Sequence, residues 1–182
     1  EIKNRINCLE GQNNYTKETI QHMKNKMDAN IINYISFEDY NTKGLKGAKN
    51  GQSTNKEDTW SIYAYNKGVH TEELDETLEK SRGGSHGIGK IASNAASELY
   101  MMYFANCDEE GNKHLGETVQ LIEHKYKDNY YRSTGYFTDS KNIDSKTTKF
   151  YPYENNFDEV FAKDTRGLKI IIPFLREQFN KE

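Results

Sequence analysis

The sequence predicts an α+β fold, a two-layer sandwich of helices on a mixed but mainly antiparallel sheet. Three observations predict it. Helical and strand-like stretches come in segregated runs rather than in strict strand–helix alternation. Residues 99–126, "LYMMYFANCDEEGNKHLGETVQLIEHKY", read as two strands around a polar turn. Residues 168–175, "LKIIIPFL", form the strongest buried-strand pattern in the chain.

The elements follow in order. Residues 16–30 carry Ile20, Met23 and Met27 at helical spacing. "IINYISFED" (31–39) is rich in β-branched and aromatic residues and predicts a buried strand. It ends in a long run of Asn, Gly, Lys, Ser and Thr, which predicts a loop. "EELDETLEK" predicts a short helix before a glycine cluster. After the cluster, Ile91, Ala92, Ala95, Ala96 and Leu99 fall at helical spacing, which predicts an alanine face packed on a sheet. "STGYFT" (133–138) predicts a short strand, and residues 138–156 a polar loop.

Composition bounds the function. The 182 residues suit a single domain, residues 1–182. Mean hydropathy is −1.00, and just under a fifth of the residues are Ile, Leu, Val or Phe. Net charge is only −3, however, and 13 tyrosines add amphipathic core material, so the chain reads as folded and loop-rich. Twenty-five basic against 28 acidic residues, with no basic cluster, argue against direct nucleic-acid contact. Cys8 and Cys107 fit no metal or CxxC spacing and read as reduced cytoplasmic thiols. No apolar run nears 18 residues, so no membrane partner is expected.

The stretch "KSRGGSHGIGKIASNAAS" (80–97) gives up backbone order just before a helix. Gly84–Lys90 fits G-x-x-x-x-G-K, but a P-loop needs Ser or Thr next, and position 91 is Ile. The preceding "DETLEKSR" is charged rather than a buried strand. A glycine-rich connection without a ligand is the plain alternative. A second site decides the balance: "ISFEDYNTKGLKG" places a strand, then Asp39, then Gly44 and Gly47 upstream of the glycine cluster.

Together the two stretches resemble the GHKL ATPase superfamily (gyrase B subunit, the ninety-kilodalton heat-shock chaperone, histidine kinases, MutL), over roughly residues 31 to 172. "GGSHGIGK" is similar to the family's second glycine box, with Gly84, Gly87 and Gly89 matching. "DYNTKGLKG" resembles a stretched first box seen in a bacterial branch, whose "GYF" also matches Gly135–Phe137. The resemblance implies the Bergerat-type ATP-binding fold. It also implies a nucleotide site made of Asp39, Asn41, Thr42, Gly44, Gly84, Ser85, His86, Gly87, Ile88, Gly89 and Lys90.

A carboxylate accepts hydrogen bonds and donates none, so Asp39 suits the amine of adenine. The glycines would offer backbone N–H groups to phosphates at a helix N-terminus, and residues 46–83 would form the lid. Mg²⁺ and hydrolysis need the family's N-box. Asn25, Asp28 and Ala29 match its N-x-x-D-A spacing, but Gln21 stands where a Glu belongs. We read that match as chance and place the N-box upstream of Glu1, so no catalytic or metal residue is assigned and this segment alone is expected to be inactive. The family's Gly-Thr before its last strand is replaced by Gly167-Leu168, with Thr165 as a substitute. The expected function is ATP binding within a longer ATPase, where lid closure drives self-association or docking of further domains. The alternative is an interaction module that keeps the fold without using nucleotide.

Overall fold

The computed structural model describes residues 1–66, 88–154 and 158–179. In chain order these form α1 (Ile2–Asn7), α2 (Asn14–Met27), β1 (Tyr34–Glu38), α3 (Thr59–Tyr65) and α4 (Ile88–Ala95). The strands β2 (Met101–Cys107), β3 (Lys113–Gln120), β4 (His124–Tyr126), β5 (Asn129–Tyr131) and β6 (Thr134–Phe137) follow. The chain ends with β7 (Asp139–Asn142), β8 (Thr148–Tyr151), β9 (Tyr153–Glu154) and β10 (Gly167–Pro173). The central sheet runs β1–β10–β2–β3–β6 with β9 also on β3, and β4–β5 and β7–β8 form separate ribbons. Every strand pairing among the described residues is antiparallel, an α+β architecture.

Alternation along the strands gives the sheet two apolar faces. One carries Met102 and Phe104 of β2 with Ile170 and Ile172 of β10, and packs against Trp60 and Ala64 of α3. α4 lies on this Phe104 face too, because Asn94 donates to the carbonyls of Tyr100 and Thr118 at 3.0 and 2.9 Å. The other face carries Met101 and Val119 beneath Ile6, Leu9, Ile20 and Met23 of the α1–α2 region. Farther along this Tyr103 face, Ala105, Leu115 and Ile171 meet Val160 and Phe161.

α2 starts as its sequence directs. The Asn13 side chain accepts from the Thr16 amide at 2.9 Å while the Thr16 hydroxyl accepts from the Asn13 amide at 3.2 Å, a reciprocal cap. Ile20 and Met23 are buried as their spacing predicts. Glu98, just past α4, holds the helix down: its carboxylate meets His22 at 2.7 Å, Arg176 at 3.6 Å and Lys26 at 3.8 Å.

Three expectations are corrected. β1 is not buried, since all five of its residues are exposed on the sheet's edge. Its Ile35 and Phe37 pair with Ile172 and Ile170 on the Phe104 face, beyond the reach of α3. The expected α4 face is met only in part: Ala96 packs on the Phe104-face core and Leu99, past the helix, is fully buried, but Ile91, Ala92 and Ala95 are exposed and the helix meets the sheet through buried Asn94 and Ser97. Polar hydrogen bonding, not the alanine stripe, orients that helix. Residues 138–154 are largely a ribbon, β7–β8, with β9 beside it. Alternation was invisible there because β7 is exposed on both sides, and Asp144 makes the turn by accepting from the amides of Lys146 and Thr147.

The lid-like region 46–83 is described only in part. Its described part, 46–66, is docked, with Trp60 fully buried and Asp58, Ser61 and Ala64 nearly so. The amide of Trp60 donates to Lys46, and Ser61 trades hydrogen bonds with the backbone of Ser53. Residues 67–83, including "EELDETLEK", lie outside the described residues.

Candidate functional site

β1 delivers Asp39 to the sheet's edge, one residue past the strand, where the chain turns away. Its amide still donates to the Leu168 carbonyl at 2.9 Å, as the next rung of the β1–β10 ladder. The return bond is not main-chain: the Leu168 amide donates at 2.7 Å to Oδ1 of the Asp39 side chain. The Thr42 hydroxyl donates to the same Oδ1 at 3.0 Å. Oδ2 accepts no hydrogen bond from the described residues, and Asp39 is exposed. The carboxylate is therefore held by one oxygen and presents the other.

Gly167 makes this possible. Its φ of +140° lies where side chains are strained, and a Cβ there would collide with Oδ1 and the carbonyl of Asp39. Sequence reasoning noted Gly167 only as half of an altered Gly-Thr pair, and the signal was the glycine opening the strongest strand. We expect Gly167→Ala to destabilise the fold by about 1–3 kcal/mol, from backbone strain and displacement of Asp39. Urea unfolding checks this, and an unchanged midpoint would show that Asp39 can move aside at no cost.

The loop beyond Asp39 is a built structure. Asn41 takes a left-handed φ of 57°, and its carbonyl accepts from Arg166. Gly44 has φ +65° and passes so close to β2 that a Cβ would strike the Cys107 carbonyl. Buried Asn106 then splints the loop, accepting from the Leu45 amide at 2.7 Å and donating to its carbonyl at 3.0 Å. Asn106 was not foreseen, because a lone Asn inside a strand pattern carries no signal of its partner. Next to Asp39, the Glu38 carboxyl is held below its usual range, chiefly by the Tyr40 hydroxyl at 2.7 Å and also by the Lys163 ammonium at 3.1 Å. Lys163 also donates to the Thr165 hydroxyl, so Thr165 contacts Lys163 while Thr42 contacts Asp39.

The structure unites Asp39, Asn41, Thr42 and Gly44 in one loop anchored on β10 and β2. Gly84, Ser85, His86 and Gly87 lie outside the described residues. Ile88 and Gly89 are in the first turn of α4. Lys90 donates to the carbonyls of Tyr63 and Ala64, the last turn of α3, where a cation complements the helix end. Its ammonium thus ties α4 to α3, a role that spacing alone did not suggest.

Asn25 and Asp28 sit elsewhere. α2 packs on the Met101 and Val119 side of the sheet and α4 on the opposite side, so the N-x-x-D-A match is separated from α4 by the sheet. A shallow cavity of about 260 Å³, lined in part by Lys46, Lys49, Asp108, Glu109 and Glu110, contains none of the expected site residues. Its charges pair internally, Lys46 with Glu109 and Lys49 with Glu110. Among the described residues no group of His, Cys, Asp and Glu could hold a metal ion, and no helix is long and apolar enough to cross a membrane.

No protein-family model matches the chain, and neither the curated proteins nor the solved structures include a significant match.

Proposed function

We propose that this chain is the larger part of a GHKL-type nucleotide domain that binds ATP, with Asp39 accepting the adenine amine. The observation that carries this is the half-engaged carboxylate: Oδ1 is fixed by Leu168 and Thr42, and Oδ2 accepts nothing from the described residues. A fixed acceptor with no donor of its own favours an exocyclic amine over the carbonyl that guanine carries there. The helix following the second glycine box lies on the Phe104 face and supplies the terminus that the phosphates need. Exposed Ile35 and Phe37 on that face offer an apolar seat for a further helix, and an N-box helix there would bring Mg²⁺ and turnover. ATP would then order the residues between α3 and α4 and promote self-association or domain docking.

The test is nucleotide titration by calorimetry. In Asp39→Asn the amide oxygen stays with Leu168 and Thr42, so the NH₂ group faces the adenine amine, donor against donor. Loss of a charge-assisted bond contributes about 1.5–3 kcal/mol, so ATP affinity falls about tenfold or more. Equal affinity in the variant makes Asp39 a turn residue. A wild-type protein that binds no nucleotide turns the reading toward an interaction module, which the engagement of Lys90 by α3 carbonyls would then favour.

A further inference from the structure

The Tyr103 face contains a polar group that the nucleotide reading does not use. Glu117, in the middle of β3, points to this face between Tyr103 of β2 and Phe137 of β6, its directly opposite neighbours. It is 6% exposed, and its Oε1 is buried with no hydrogen-bond partner among the described residues. Burial alone raises its carboxyl to about 8, with no cation contributing. Lys169, on the same face two strands away, donates instead to the carbonyls of Glu159 and Ala162.

Around this acid stands a row of rings. Tyr103 and Phe137 meet edge to face at 6.1 Å directly above the Glu117 position. Phe161 packs on the far side of Tyr103 at 4.9 Å, and Tyr153 stacks on Phe137 at 4.5 Å. Phe137 and Tyr153 are 42% and 37% exposed, so the row opens to solvent at one end. Electron-rich ring faces with a carboxylate beneath them attract an organic cation, through ring quadrupoles and through the charge. An unpaired buried carboxyl is otherwise costly, and no residue described here relieves that cost.

We propose that Glu117 and the Tyr103, Phe137, Tyr153 and Phe161 rings form a binding site for an alkylammonium group. The site lies on the opposite face of the sheet from α4 and does not depend on the nucleotide reading. The same chemistry is carried by a lysine side chain of a partner protein and by a free quaternary amine. Binding requires the Glu117 carboxylate, so below pH 8 the cation displaces its proton. The nearest facing titratable group with a displaced value, the Tyr103 phenol, is pushed up by burial and by Glu117 and stays protonated there. Affinity therefore rises about tenfold per pH unit between pH 6 and 8.

The experiment is an NMR titration of the folded protein with choline, with a neutral lysine-containing tripeptide capped at both ends, and with 3,3-dimethylbutanol as the uncharged isostere of choline. Saturable shifts at Tyr103 and Phe137 are expected with choline, the peptide or both, and the stronger ligand identifies the source. Glu117→Gln, which keeps shape and removes charge, should weaken binding about tenfold or more, and Phe137→Leu should weaken it with Glu117 intact. Absence of saturable shifts with either cation overturns the site. So does equal binding of the uncharged isostere, or Glu117→Gln binding as tightly as wild type in a well-dispersed spectrum.

Discussion

Trp60→Ala should come close to unfolding the protein. Trp60 is wholly buried, 5.2 Å from the Phe104 ring and 5.8 Å from His114, and its indole lies over Gly116, whose missing Cβ leaves the space. Truncating such a residue costs about 3–5 kcal/mol through lost burial and the cavity left behind. Domains of this size are stable by only about 5–15 kcal/mol in total. Far-UV circular dichroism in urea measures the loss, and Trp60→Phe should recover part of it. A cost below about 1 kcal/mol would mean that α3 is not docked.

The second large effect is a dependence of stability on pH that belongs to Glu117. Its carboxyl sits at about 8 in the folded protein against an ordinary 4.5. The folded state thus prefers the protonated acid, and this contribution is complete below about pH 4.5. It is lost as pH rises through 8, because the unfolded chain releases the proton earlier. At 1.36 kcal/mol per unit the loss is on the order of 5 kcal/mol. Glu38, Asp108 and Asp164, all held below their ordinary values, act in the opposite sense at lower pH. They are common to wild type and Glu117→Gln, so the difference between the two unfolding free energies isolates Glu117. The variant should gain on wild type steadily from pH 5 to 8, and parallel profiles would show Glu117 to be an ordinary carboxylate.

Residue pattern made some of this legible in advance. The 3.6-residue spacing of Ile20 and Met23 placed α2, and the run around Ile170 to Ile172 placed β10, because each buries one recognisable set of side chains. The order of strand, Asp39 and glycines marks the candidate loop from the residues alone. Elsewhere pattern misled. Ile35 and Phe37 look like core residues, yet burial depends on what lies across from a strand, and β1 is the edge. The ribbon of β7 and β8 is held by backbone pairing and a turn-forming Asp144, which leave no hydrophobic period to read.

By itself, then, the sequence determined the fold class, the main helix and strands and the position of Asp39, since these follow from local spacing and turn chemistry. Tertiary structure alone decided which oxygen of Asp39 is engaged, that Gly167 must lack a side chain and that Lys90 belongs to α3. It also decided that Asn25 and α4 lie on opposite sides of the sheet, and that Glu117 is buried among rings. Each of those depends on contacts between residues far apart in the chain, and no local pattern encodes which distant partner will arrive.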